Sequence, residues 1–564
     1  MRKFWLILLF FAILTTVWWW PLPRHLLTGQ LDKSLIDPLY NQWIIAWGAH
    51  ALTHYPWHFF DANMFYPFHQ TLAWGDNLFS LTIFALPLLP IFGLLGTYNI
   101  LLLGSTIFSA FTIYLLVRHL TKHRPSAVVA GLIWGFSHYR WSECGHIQIL
   151  WTIWLPLIFL YAEKIREKFS RRDFLLLIAA VFLMLTANVY LAIFVVISFA
   201  VYFIGLLICR LINWRSVGQI ILGWLAAGLL ALPLYWPSFV LQQQAPVIRD
   251  IERQEYLHLH NLLPWPWPGK LIQNLLDFFG RPVEAIPTQP LSLLIFILLL
   301  AGLIRLVAER REWRKNLLYV IFLLTSVVGF IAAAGPRIYW REKILVNHNW
   351  LFYWFYDHFP GYSVMRVPLR WYIVILVGLT VFGSWGLAKW LRILRPRWQY
   401  LFVLLCATWL FIEQAPTPTE VYSNYRWQDY PVYQWLKNQP GEFPILELPA
   451  YAGNGYHPND VIEARRMYLS TFHWKKRVTG TISPGIIKPY LNNIRIINTI
   501  GQDSAALELL KKWQVKYIVY LPADFIDLGL PPDEQERVKR QLDSMPELKK
   551  EVEYDNGTIY KIIY

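Results

Sequence analysis

Acids, amides and aromatic rings crowd the polar stretch that follows the first apolar run: Asp37-Pro38-Leu39-Tyr40-Asn41-Gln42-Trp43, then Asp61-Ala62-Asn63-Met64-Phe65-Tyr66-Pro67. A carboxylate here, at the outer face of a membrane, is placed to take a proton from a hydroxyl. Asn41, one helical turn beyond Asp37, would share its side. Asp followed by Pro is also a good helix start, with Asp as N-cap and Pro in the first helical position. The two readings are compatible, because a capping Asp is held in place. The helix it would start, 39–52, sets Leu39, Trp43, Trp47 and Ala51 on one face and suits a helix lying in the interface. Asp76, after Trp74-Gly75, is either a second acid facing Asp37 or the cap of the next helix. His50, His54 and His58 recur every fourth residue, but Pro56 interrupts them. Rings at the lipid surface account for them better than a metal site does.

A second polar patch, Ser137-His138-Tyr139-Arg140-Trp141-Ser142-Glu143-Cys144-Gly145-His146-Ile147-Gln148, lies between two apolar runs. Ionisable groups at membrane depth are costly, which marks the patch as selected. Arg140 and His146 could meet a ligand or hydrogen-bond between helices. Glu143-x-x-His146 matches half of a carboxylate metal site. A third group, Arg366-Val367-Pro368-Leu369-Arg370, puts two guanidiniums one turn apart, either as a fork for phosphate oxygens or as a pair reaching lipid headgroups. His258, His260 and Trp265-Pro266-Trp267-Pro268 would line a sugar or lipid groove, or sit in the interface. No Gly-x-Gly-x-x-Gly, P-loop or His-Glu-x-x-His is present, which removes support for a nucleotide cofactor and for zinc-protease chemistry. The three cysteines suggest neither a disulfide framework nor a thiolate metal site.

The elements that must position these groups are membrane helices. The chain has 564 residues, 56% hydrophobic and 15% charged, with apolar runs of the length that crosses a bilayer. Eleven spans are expected: 4–20, 98–117, 125–139, 147–162, 173–189, 190–209, 217–236, 289–308, 317–335, 367–390 and 399–413. The stretch 78–95 holds Pro87 and Pro90. It reads as re-entrant or interfacial, because the five segments this leaves inside together carry 19 Lys and Arg. The net charge of +15 thus points to anionic lipid at the cytoplasmic face, and to no nucleic acid. The amino terminus is then cytoplasmic, and every chemical-looking segment falls outside.

The expected organisation is a transmembrane region over 1–415, including an outer loop 21–77, and an extracytoplasmic α/β domain over 416–564. In the latter, 444–448 and 515–520 read as strands, 504–513 and 532–545 as helices, and Asn556-Gly557 as a hairpin turn rather than a glycosylation sequon.

The order of these parts resembles the polytopic GT-C glycosyltransferases, in particular bacterial members of uncharacterised specificity. The resemblance rests on Asp37-Pro38...Asn41...Trp43, Ala62-Asn63...Phe65-Tyr66-Pro67, Phe136-Ser137-x-Tyr139-Arg140...Gly145-His146-x-Gln148 and Pro360-Gly361...Arg366-Val367-Pro368-x-Arg370. It implies inverting transfer of a sugar from a polyprenyl-phosphate carrier to a glycan, lipid or protein acceptor of the envelope, in the bacterial inner membrane. An acid of the first outer loop, here Asp37, then acts at the acceptor, with Arg366 or Arg370 at the phosphate. Many members carry adjacent acids where this chain has Asp37-Pro38, so the second acid, expected at Asp76, and a divalent cation stay open. The Trp-Trp-Asp motif of oligosaccharyltransferases is missing, which disfavours whole-glycan transfer to protein. Two other classes share the spans: a lipid or glycolipid transporter, which should show internal repeats that the sequence lacks, and a non-catalytic scaffold for envelope assembly.

Overall fold

The computed structural model describes residues 2–32, 34–244, 251, 254–262, 291–340, 343–414, 420–453, 460–481 and 488–564. The side chain of His260 and the stretch Trp265-Pro266-Trp267-Pro268 lie outside the described residues. The chain forms two compact units, one of Met1–Leu26, Asn99–Pro233 and Ile248–Val421, the other of Leu27–Tyr98, Leu234–Val247 and Tyr422–Tyr564. The outer-loop segment thus folds with the carboxy-terminal region rather than with the spans.

The first unit is helical. Among the described residues of the chain, five helical stretches are long and apolar enough to cross a membrane: Leu89–Thr121, Val189–Ile208, Trp214–Gln244, Arg310–Ala333 and Pro368–Leu391. Phe4–Trp18 and Leu293–Ala308 are shorter apolar helices. The expected span 147–162 is not one helix. Ile147–Leu150 is a single turn, and the helix proper runs over Trp154–Glu167. The reason is local, since the Leu150 carbonyl and Thr152 hydroxyl in the break accept from Arg140 at 2.9 and 3.1 Å. The stretch 78–95 holds no spanning helix. Phe79–Ala85 is seven residues long, and the next helix is broken at Gly93, whose φ is 67°.

The helix Tyr372–Leu391 is buried nearly throughout. Its glycines let neighbouring helices approach: a Cβ on Gly378 would lie 2.2 Å from the Phe322 carbonyl, and one on Gly386 only 2.3 Å from the backbone nitrogen of Gly302. Small residues at such crossings replace the hydrophobic drive that lipid removes.

The second unit is built on a five-stranded mixed sheet, in the order Leu548–Tyr554, Gly557–Ile562, Tyr517–Tyr520, Pro444–Leu448, Lys476–Arg477. The last three are parallel, with Ile445 opposite Tyr517 and Leu448 opposite Tyr520. The first two close the expected hairpin, with its turn at Asp555-Asn556, one residue earlier than the Asn556-Gly557 pair suggested, and Gly557 pairs with Tyr554. Helices Ala505–Lys512 and Pro532–Ser544 fall where periodicity put them.

Against this sheet lies the outer-loop helix, Ile36–His54. It was expected in the membrane interface, yet it is buried on most of its faces, and Leu39 joins Ile445, Val519 and Leu436 in one apolar core. Truncating Leu39 to Ala there would cost about 2–5 kcal/mol. Asn63 fastens the loop that follows. It accepts from Trp43 Nε1 and donates to Ser470 Oγ, each at 3.1 Å, while its carbonyl accepts from Arg477 N.

Candidate active site

The outer-loop helix is entered through Leu35 in the left-handed region, φ 57°, with no side-chain cap. Asp37 is therefore not the N-cap but the second residue of the first turn, where the free N–H groups and the helix dipole favour a carboxylate. Pro38 beside it lacks an N–H that this turn leaves unpaired in any case. Asp76 does not cap the next helix either. That part falls to Asn77, whose Oδ1 accepts from Phe79 N at 3.1 Å.

Both acids act on one group. Tyr40, three residues after Asp37 and hence on its side of the helix, reaches Gly75 so closely that a Cβ there would lie 2.7 Å from its hydroxyl oxygen. Only glycine before Asp76 admits the ring. Burial, and then the charges of Asp76 and Asp37, push the Tyr40 pKa upward. Its hydroxyl is buried with no hydrogen-bond partner among the described residues. A buried hydroxyl left so costs about 1–3 kcal/mol, which is offset when a ligand supplies the partner. Tyr235 also lies in the field of Asp76. Asn41 is fully buried on the same helix.

The histidines follow another logic. His50 stacks on Trp474 with ring centroids 4.1 Å apart, so it packs inside the unit rather than reaching lipid. His58 pairs with Asp61 at 2.9 Å, and His69 lies 3.6 Å from the same carboxylate. Among the described residues no three or more His, Cys, Asp or Glu side chains are arranged to hold a metal ion.

In the first unit the patch 138–148 and the 366–370 segment come together. Arg370 grips Glu143 with two parallel bonds, Nε to Oε1 at 3.2 Å and Nη2 to Oε2 at 2.9 Å, and its guanidinium lies 5.3 Å from the Tyr190 ring centroid. His146 Nδ1 is 3.1 Å from Oε2 of that carboxylate. Burial would raise the Glu143 pKa, but Arg370 and then His146 outweigh it and hold the carboxyl well below the usual range. The arginine fork therefore does not form as spaced. Arg370 is committed to Glu143, while the backbone at Arg366 is anchored separately, its N–H donating to Tyr190 Oη at 2.8 Å and its carbonyl accepting from Glu255 N at 3.1 Å.

Arg140 is different. It is 3% exposed and donates to Ser105 Oγ, Thr152 Oγ1 and the Leu150 carbonyl, with no carboxylate partner among the described residues. Its Nε, the Ser137 hydroxyl and the Tyr139 hydroxyl are buried without partners. His138 is tied through its backbone N–H to Gln414 at 3.0 Å, and Gln148 is buried. Two guanidiniums against one carboxylate leave this centre with surplus positive charge.

Sequence reasoning quoted Tyr40 and gave it no role, although its position three residues from Asp37 was the available signal. It also passed over Glu447, a charge within the apolar strand Pro444–Leu448, and the Glu463-x-x-Arg466 pair. Together with Arg477 and Asp524 these form a buried network: Arg477 bonds Glu447 and Glu463, Arg466 bonds Glu463 and Asp524, and Arg465 bonds Asp524. The Tyr433 hydroxyl donates to Glu447 at 2.5 Å.

No protein-family model and no curated protein sequence matches the chain. Solved structures do. The cryo-EM structure of the arabinofuranosyltransferase AftD from mycobacteria matches 100% of this chain at 13% identity with a TM-score of 0.56, and the chain covers 40% of that protein. The apo oligosaccharyltransferase of Archaeoglobus fulgidus matches over 95% of this chain and 72% of its own, at 13% identity and TM-score 0.43. ArnT from Cupriavidus metallidurans bound to undecaprenyl phosphate matches over 99% and 97%, at 12% identity and TM-score 0.40. The likeness to the arabinofuranosyltransferase, carried through the whole chain, shows that this protein has the GT-C glycosyltransferase fold that its motifs resemble.

Proposed function

We propose that this chain is a membrane glycosyltransferase that moves a sugar from a polyprenyl-phosphate donor to an envelope acceptor on the outer face of the membrane. The observation that carries the reading is the buried, unpartnered Tyr40 hydroxyl under the joint field of Asp37 and Asp76. Two acids and a hydroxyl that lacks a partner form a place for an acceptor hydroxyl. In the step, the acceptor oxygen attacks the anomeric carbon, its proton passes to the Asp37 carboxylate, and the carbon–oxygen bond to phosphate breaks with both electrons leaving on the polyprenyl phosphate. Asp76 orients the acceptor, and Asn41 lies one turn from the base.

For the phosphate, the surplus charge around Arg140 supplies attraction, together with Arg366. Arg370 serves as a positioning residue that keeps Glu143 and His146 in place. A buried guanidinium facing a developing phosphate anion needs no reorganisation as the bond breaks. The eleven-span arrangement with the amino terminus inside rests on the distribution of Lys and Arg, and puts Asp37 and Asp76 outside.

Incubation of the purified chain with radiolabelled polyprenyl-phosphate sugars and envelope extracts tests the reading. Wild type should label an acceptor, and Asp37→Asn should lower the rate by about 100- to 10,000-fold. Equal labelling by Asp37→Asn removes the base from Asp37. Movement of lipid between leaflets with no label transferred would favour a transporter instead.

A further inference from the structure

The second unit holds a cavity of about 950 Å³ that the acid site does not use. That is at the top of the range of small-ligand sites, about 300–1,000 Å³. The outer-loop helix contributes Ala46, Ala49, His50 and Thr53 to its wall. At 3.6 residues per turn these fall roughly 120° to 220° around the helix from Asp37. The cavity therefore lies on the other side of that helix from the proposed base.

Its lining has a particular chemistry. Two aromatic surfaces face it: the His50–Trp474 stack, with rings 4.1 Å apart and within 8° of parallel, and the Trp427–Phe472 pair at 5.3 Å. Trp474 sits at φ 56°, in the left-handed region that a bulky aromatic rarely adopts. It is held there by edge contact with Trp47 at 6.0 Å and by its N–H donating to Ser470 O at 2.8 Å. Planar amides and hydroxyls accompany the rings, at Asn424, Gln428, Thr53 and Thr471. Arg426 is the one lining side chain that bears a fixed charge, and it is exposed. Burial and then the neighbouring His54 push the His50 pKa down to about 4, so the imidazole is neutral at pH 7. The remaining wall, drawn from the stretch Leu86 to Gly96, is apolar, and within it Phe92 is 40% exposed.

Aromatic faces stack on the C–H faces of sugar rings, amides and hydroxyls pair with ring hydroxyls, and the near absence of charge disfavours a nucleotide or a bare phosphate. An apolar wall with exposed side chains suits an attached hydrocarbon. We infer that this cavity is a second ligand site, separate from the acid pair, which takes the uncharged saccharide headgroup of a glycolipid.

The test uses the full chain in lipid nanodiscs and does not depend on transfer activity, so it fails or succeeds apart from the glycosyltransferase reading. Binding of decyl β-glucoside, decyl β-galactoside and decyl β-maltoside is followed by tryptophan fluorescence and by saturation-transfer NMR, with dodecylphosphocholine as the tail-matched probe without sugar. At least one glycoside should bind saturably, with saturation transfer strongest at its ring protons. The exposed Gln428→Ala and the half-buried Trp427→Ala should each weaken that binding about tenfold, and Trp427→Phe should restore most of it. Absence of saturable binding for all three glycosides, equal competition by dodecylphosphocholine, or unchanged affinity in both Ala variants would overturn the inference.

Discussion

Two buried ionic centres of this protein differ in how their cations are paired. In the second unit Arg465, Arg466 and Arg477 face Glu447, Glu463 and Asp524, all at or below 9% exposure. Each of these cations meets at least one acid, and Arg465 meets a fourth carboxylate, Asp527, at 3.0 Å. In the first unit Arg370 is paired with Glu143, while Arg140 has no carboxylate partner among the described residues and lies among polar atoms that have no hydrogen-bond partner there. A centre in which every cation meets an acid acts as scaffold, tying the helix Asp460–Ser470 through Glu463 and Arg466 to Arg477 and Asp524. Under the proposed function, the cation without an acid is the one that meets the donor phosphate. Pairing of charges, rather than residue identity, then separates the two places.

Removing a member of each centre should separate the two most sharply. Arg477→Ala leaves Glu447 and Glu463 buried without their shared cation, and should destabilise the second unit by about 3–5 kcal/mol, seen as early protease cleavage within 422–564 on thermal challenge. Arg140→Met takes away a cation that has no acid to abandon. Stability should shift by less than about 1 kcal/mol, since the lost hydrogen bonds are offset by relief of a buried charge. Affinity for undecaprenyl phosphate should fall about tenfold to a hundredfold, the equivalent of about 1.5–3 kcal/mol for a hydrogen bond to a charged group. If Arg140→Met and Arg477→Ala destabilise alike, the distinction collapses.

Acid should find the fully paired centre through His473, buried beside it. Burial and then Arg477 and Lys475 push its imidazole down from 6.5 to about 3. Between those values the unfolded chain binds a proton that the folded unit refuses. Stability is therefore full above about pH 6.5 and falls as pH drops, by about 1.4 kcal/mol per unit from this group. His473→Phe should flatten that slope in melts between pH 6.5 and 4. Smallest of all, Tyr40→Phe removes a hydroxyl that has no protein partner. Thermal stability should hold or rise by about 1 kcal/mol, while transfer slows. A loss of stability would show that the hydroxyl is satisfied within the fold.

Local pattern carried much of this into the sequence. The strand Pro444–Leu448 is where its short apolar run puts it, and the hairpin marked by Asn556-Gly557 forms with its turn one residue earlier, at Asp555-Asn556. Hydropathy marked the long helices because lipid-facing residues need no partner distant in sequence. It failed at 147–162, where the helix opens at Leu150 and Thr152 to serve Arg140. The burial of Ile36–His54 was also hidden, since an apolar stripe looks the same against lipid and against a sheet. At the acid site Asp37 and Asp76 were legible as residue types near a membrane face. Their meeting on Tyr40 was not, because it depends on Gly75 admitting a ring from another turn of the chain. The fork of Arg366 and Arg370 was spaced correctly and still did not form, since Glu143, far away in sequence, takes Arg370.

The central claim is that Asp37 removes the acceptor proton. Single-turnover transfer and donor binding measured on the same Asp37→Asn preparation test it most directly. The account predicts donor affinity within about twofold of wild type, because the carboxylate does not hold the phosphate, and a transfer rate lower by about 100-fold or more. A wild-type rate at unchanged donor affinity would contradict it.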